Sequence, residues 1–193
     1  YRNTMKKEIK DGSTMKLTPK ICIWVSCALL YALQVSPVFF RLQNGRKTSV
    51  VCIVGVVIMA CGILLESMAD AQKSKAKAKN PNRFCDTGLY KIVRCPNYLG
   101  EVVFWTGVFV AGVASYSGVG QWIIAIIAYI CIVYIMFNGA QRLEKRQMKR
   151  YGNDEAYNAY ADKTPIIIPL LPIYHLNKKE TEETITTEKT VTE

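Results

Sequence analysis

Sixteen consecutive residues, Asp86-Thr87-Gly88-Leu89-Tyr90-Lys91-Ile92-Val93-Arg94-Cys95-Pro96-Asn97-Tyr98-Leu99-Gly100-Glu101, concentrate the groups able to do chemistry. They run straight into an apolar segment long enough to cross a bilayer. A helix starting at Pro96 uses proline where a missing N–H costs nothing. It carries Asn97 and Glu101 one turn apart on one face, with Tyr98 beside them. Glu101 then falls at or just inside the membrane boundary, where a carboxylate is costly and is kept for a purpose. Upstream, Glu66 and Asp70 are four apart and share a helix face at the end of another apolar run. If the two helices are neighbours, three carboxylates and an amide converge at one depth. The alternative is that Glu66 and Asp70 pair with Lys73 or Lys77 at a wet helix end.

Between these groups lies a cationic loop with Lys73, Lys75, Lys77, Lys79, Arg83, Lys91 and Arg94. Its field suits phosphate, and Arg83 and Arg94 are able to grip phosphate bidentately, as lysine is not. Topology alone accounts for Lys75, Lys77 and Lys79. The N-terminus of the Pro96 helix also points at the loop and favours an anion. Neither GxGxxG nor GxxxxGK[ST] occurs, so no soluble nucleotide fold is expected. Seven cysteines, none in a CxxC pair, give neither a disulfide framework nor a metal site. They read as small apolar packing residues.

The elements that must position these groups are long and apolar. Half of the 193 residues are hydrophobic although 25 are Lys or Arg and 15 Asp or Glu. The two facts are compatible because the apolar residues cluster in Ile21–Phe40, Thr48–Leu65, Leu99–Val119 and Gln121–Phe137. Each approaches the roughly 20 residues that cross a hydrocarbon core, and so short a chain cannot bury four such helices in a soluble core. The expected fold is an all-α, polytopic membrane bundle of about four transmembrane helices with a cytosolic helical extension. A lipid bilayer is the expected partner; nucleic acid is not.

In chain order, 1–20 is a basic cytosolic segment, 21–174 the bundle with a cofactor-side loop at 70–98, and 175–193 a disordered tail of Thr, Glu and Lys. Asn44-Gly45 and Ser115-Tyr116-Ser117-Gly118 read as turns. The last apolar run continues without a break into an amphipathic helix that Gly152 is placed to end. Pro165–Tyr174 is too short and proline-rich to span, and is expected at the interface or folded back on the bundle. Gly107, Ala111 and Ser115 form a small-residue stripe suited to close helix packing. The segments 1–20, 70–98 and 139–163 hold nineteen Lys and Arg against three on the opposite side, which places the loop and both termini in the cytoplasm. The chain opens at Tyr1 rather than Met, so an upstream portion is expected.

Glu66-x-x-x-Asp70-x-Gln72, Asp86-x-Gly88-Leu89-Tyr90 and Arg94-Cys95-Pro96-Asn97-Tyr98-Leu99-Gly100-Glu101 together resemble the C-terminal half of the steroid 5-alpha-reductase-like family. The similarity covers roughly residues 50 to 172 and closes on Tyr151-Gly152 and Pro165 to Pro169. It implies a transmembrane half, part of a larger bundle, that binds NADPH from the cytosolic side. Hydride would pass to the conjugated C=C of a steroid-like or other hydrophobic lipid. Asn97 and Glu101 would hold the nicotinamide carboxamide, Glu66 and Asp70 would line the cavity, Arg83 and Arg94 would face the phosphates, and Tyr98 would belong to the same cofactor-binding set. A carboxamide needs one acceptor and one donor, which Glu and Asn supply. Two departures stand out. Cys95 replaces a histidine usual in the family, and the family's substrate-polarising Glu and Tyr have no match, so no catalytic residue is assigned.

Gly88-Leu89-Tyr90, Val93 to Gly100, Glu144 and Tyr157 are also similar to the isoprenylcysteine carboxyl methyltransferase family, which implies S-adenosylmethionine as cofactor. A non-catalytic membrane scaffold would bind neither. Asn97 before the tyrosine, Glu101 after the glycine, and the Glu66/Asp70 pair favour the reductase.

Overall fold

The computed structural model describes residues 16–177; most of the expected basic segment and most of the expected tail lie outside the described residues. Within them the chain forms six α-helices, one 3-10 turn at Gly88–Lys91 and no strand. The helices are α1 (Leu17–Gln34), α2 (Ser36–Gln43), α3 (Val50–Lys79), α4 (Pro96–Val113), α5 (Val119–Tyr151) and α6 (Glu155–Lys163). The all-helical membrane class is as expected, but the spans differ. Only α1, α3 and α5 are long and apolar enough to cross a membrane. The fourth expected span, α4, has 18 residues and spends its first turns on Pro96, Asn97, Tyr98 and Glu101. The most apolar windows of α1 and α3 are only 6% and 11% buried. Such surfaces belong in hydrocarbon, since a water-soluble monomer rarely exposes them.

The described residues fall into two compact units, 16–57 with 105–132 and 58–104 with 133–177. In the first, the expected run Ile21–Phe40 is broken at Val35. Pro37 has no N–H to continue the helical ladder, so α1 stops and α2 restarts with proline in its first turn. Gly45, at φ +57°, closes α2 in the left-handed region. Asn44 Nδ2 donates to the Ser115 carbonyl at 2.7 Å and to Gln121 Oε1 at 2.8 Å, tying together the two turns read from sequence. Ser49 Oγ accepts from Cys52 N at the start of α3. A Cβ at Gly55 would run into the Ala111 backbone, so the small-residue stripe of α4 meets α3 there. Phe40, Tyr116 and Ala125 form the unit's core with Phe109, Val113 and Trp122 packed on it.

In the second unit, α3 stays helical to Lys79, nine residues beyond the expected start of the loop at Asp70. A Cβ at Gly62 would lie 2.5 Å from Phe104 N, and one at Gly100 would lie 2.7 Å from Glu66 N. The backbones of α3 and α4 therefore touch. α5 continues unbroken past its apolar run to Tyr151 and ends before Gly152. After it comes α6, with the Asp154 carboxylate accepting from Ala156 N at 2.9 Å. Phe84 joins Tyr151, Tyr157 and Ala161 in one core cluster. Cys95, Ala140, Ile166 and Ile167 form another. The proline-rich segment does fold back: Arg94 N donates to the Pro165 carbonyl at 2.9 Å and Cys95 N to the Ile166 carbonyl at 2.8 Å.

Gly62→Leu should lower the thermal midpoint of the detergent-solubilised protein, with a cost of about 1–3 kcal/mol from overpacking. Gly118→Ala, with nothing within 4 Å of the added carbon, should leave it unchanged. An unaltered midpoint in Gly62→Leu would mean that these backbones do not meet.

Candidate functional site

All seven residues expected to bind a cofactor lie in the second unit. Its α3–α4 crossing sets the Glu66 backbone directly on Gly100, next to Glu101. The Glu66 carboxylate is half-buried and within electrostatic reach of Glu101 and Asp70. Glu66, Asp70 and Glu101 therefore lie near one another at the α3–α4 crossing. Asp70 is exposed, on the turn after Glu66. Asn97, one turn before Glu101, has a side-chain oxygen that is fully buried with no hydrogen-bond partner. An unpaired buried acceptor costs about 1–3 kcal/mol, and it lies beside the acidic cluster. Tyr98 points elsewhere: its ring packs on Gly139 of α5, 3.3 Å from where a Cβ would stand, and against the Cys95 cluster.

The two arginines differ in their surroundings. Arg83 is exposed and pairs with Asp86 at 2.8 Å, its guanidinium over the Phe84 ring. Arg94 is 1% exposed and bonds Glu144, itself 3% exposed, at 2.8 Å. Its Nη2 also donates to the Tyr174 carbonyl. Arg94 is thus tied inside the fold through Nη2, while its buried Nε and Nη1 have no hydrogen-bond partner. Glu144 Oε1 accepts from Arg94 and meets His175 Nδ1 at 3.2 Å. Its Oε2 accepts from Leu176 N at 2.9 Å and from Asn177 Nδ2 at 3.0 Å. His175 Nε2 lies 2.8 Å from Asp162. Residues 175–177, expected to begin the tail, are thereby tied to α5.

The loop between α3 and α4 is held from α3. Gln72 Oε1 accepts from Leu89 N at 2.8 Å, and Gly88 adopts φ +61° against that same amide. Any side chain at 88 would be strained in this conformation and would strike Gln72. Lys77 Nζ donates to the Pro81 and Arg83 carbonyls and to the Tyr151 hydroxyl at 2.6 Å, so this lysine is structural. The Tyr160 hydroxyl donates to the Tyr90 carbonyl at 2.6 Å. Burial raises Tyr160, Tyr157 and Tyr90, keeping all three protonated. Burial also pushes the Cys95 thiol up to about 12, while Arg94 and Lys73 pull the other way. Cys95 is therefore a neutral packing group. Among the described residues no cluster of His, Cys, Asp and Glu is arranged to hold a metal.

The residues that sequence reasoning overlooked are His175 and Asp162, whose link to Glu144 no local spacing signals. The Asp154 helix cap was overlooked as well, although Asp154-Glu155 before an amphipathic stretch is a local signal for it.

Residues 1–164 match the sequence profile of DUF1295, described as a protein of unknown function. No curated protein and no solved structure matches the chain.

Glu144→Ala would strand a buried guanidinium, and the expected loss is about 3–5 kcal/mol, read as a fall in thermal midpoint. A midpoint within error of the parent would show the pair to be dispensable. For Cys95, the folded protein keeps a proton that the unfolded chain releases above pH 9. Its contribution to stability is thus fully present below pH 9 and lost as pH rises toward about 12. In the folded protein at pH 8 Cys95 should resist iodoacetamide, as mass spectrometry of the labelled peptide would show; rapid labelling would contradict its burial.

Proposed function

The chain belongs to the DUF1295 family, which is grouped with the steroid 5-alpha-reductase-like proteins, and on that premise we propose that it is an integral membrane oxidoreductase. The proposed reaction is NADPH-dependent reduction of a conjugated C=C in a steroid-like or other lipid substrate. The observation that carries the reading is the buried, unpartnered Asn97 Oδ1 one turn from Glu101, where α3 and α4 touch. The amide of a nicotinamide carboxamide carries two N–H groups, which the Asn97 oxygen and the Glu101 carboxylate are each able to accept. NADPH, when bound, would supply the hydride. Asn97 and Glu101 orient the carboxamide, and Glu66 and Asp70 line the approach. Arg83 and Lys73 lend positive charge on the loop side, and Arg94 adds its own from within the fold, paired with Glu144 through Nη2 and with Nε and Nη1 unpartnered. The proposed site faces the cytoplasm, on the side carrying most of the Lys and Arg.

S-adenosylmethionine is the competing cofactor. The residues quoted for that resemblance include Arg94 and Glu144, which do come together. The Glu144 carboxylate, however, already meets four groups. A carboxylate offers about four lone-pair sites, so Glu144 has no capacity left for a ligand amine. The geometry favours the nicotinamide reading.

NADPH should bind the detergent-solubilised protein with S-adenosylmethionine failing to compete. Asn97→Ala and Glu101→Gln should each weaken binding by about ten- to a hundredfold while keeping the parent thermal midpoint. Lys75→Ala should change affinity little. Unaltered affinity in both site variants, or saturable binding of S-adenosylmethionine alone, would overturn the assignment.

A further inference from the structure

The segment that folds back over the second unit ends in an apolar tip with no cover. Leu170 is 93% exposed and Leu171 45%, between Pro169 and Pro172. The tip is not a loose end. Ile166 N donates to the Ile173 carbonyl at 2.9 Å, and Leu171 N donates to the Ile168 carbonyl at 3.2 Å, closing a turn. Below it, Cys95 N holds the Ile166 carbonyl. Ile166 and Ile167 are buried with Cys95 and Ala140, and Ile168 and Ile173 pack on them with Tyr98, Leu99 and Phe137.

Those packing partners mark a depth. Phe137 is the last residue of the apolar run of α5, and Tyr98 sits in the polar first turns of α4. The cluster therefore lies where these helices pass from hydrocarbon to headgroups. Leu170 is two residues from Ile168, so it stands within about 7 Å of that level. The interfacial layer on each side of a bilayer is itself roughly 5–8 Å thick. A tip tethered so closely lies far from the bilayer centre and within reach of the interfacial layer. Arg142 and Arg146 are exposed and flank Leu143, which packs in the same cluster, and both are felt electrostatically by Tyr98. An exposed apolar tip on a unit that also exposes arginines beside the same cluster complements the acyl edge and the anionic headgroups of a membrane surface.

We propose that Pro169-Leu170-Leu171-Pro172 inserts into the headgroup–acyl boundary of the bilayer, with lipid as its occupant. The proposal draws on the membrane nature of the chain and not on the identity of the cofactor.

The test is Leu170→Trp in phosphatidylcholine–phosphatidylglycerol vesicles, reading the emission added to that of the parent, which has three tryptophans. The added emission should be blue-shifted, shielded from acrylamide, and reduced by about half by lipid brominated near its carbonyl end. Red-shifted emission open to acrylamide and indifferent to bromolipid would place the tip in water and overturn the proposal. Blue-shifted emission blind to both quenchers would mean a protein cover, such as a second copy, and would overturn it equally. Leu171→Trp provides the same reading should the first variant fold poorly.

Discussion

With no Cβ on Gly62 or Gly100, the backbones of α3 and α4 come into contact, and the chemistry of the second unit follows from that contact. Glu66 is drawn onto Gly100, into the field of Glu101 and Asp70. The buried oxygen of Asn97 is left without a donor on the neighbouring turn. Acidic groups gathered at a membrane boundary, with an unpaired amide oxygen beside them, are an arrangement that folding alone does not favour. A ligand bringing N–H donors would relieve it.

The rest of the unit supplies rigidity. Glu144, on the part of α5 that leaves the apolar run, gathers donors from Arg94 before α4 and from the C-terminal segment. Arg94 and Cys95 also give their backbone N–H groups to that segment. The residues just before Pro96 are therefore fixed from two directions, by side chain and by main chain. This fixes the N-terminal turn that carries Asn97 and Glu101. Gln72 performs the same service on the opposite strand of the loop, holding Leu89 from α3. Apolar burial in the Cys95 and Phe84 clusters offsets the cost of taking Arg94 and Glu144 out of water.

What could be read in the sequence was local. Pro96 fixed the start of α4 because proline suits the first helical turn. The four-residue spacings of Glu66 with Asp70 and of Asn97 with Glu101 gave their shared faces. The end of α3 was misplaced because hydropathy falls at Asp70, although Ala71, Gln72, Lys73, Ala76 and Lys77 are strong helix formers that need no apolar face to continue. Ile21–Phe40 read as one span because its composition is uniform, while Pro37 broke the ladder. The role of Arg94 was hidden for a different reason. Its partner is fifty residues away on α5, and a lone arginine in a basic loop looks the same whether it faces a phosphate or a buried carboxylate. Tyr98 is a parallel case, since only packing against Gly139 turns it from the acidic face.

The central claim is that the touching turns of α3 and α4 form a nucleotide cradle. Amide hydrogen exchange of the solubilised protein with and without NADPH tests it most directly. The account predicts slowed exchange in both 62–70 and 96–101 with NADPH, and none with S-adenosylmethionine. Protection by S-adenosylmethionine instead, or exchange in those two segments indifferent to NADPH, would contradict it.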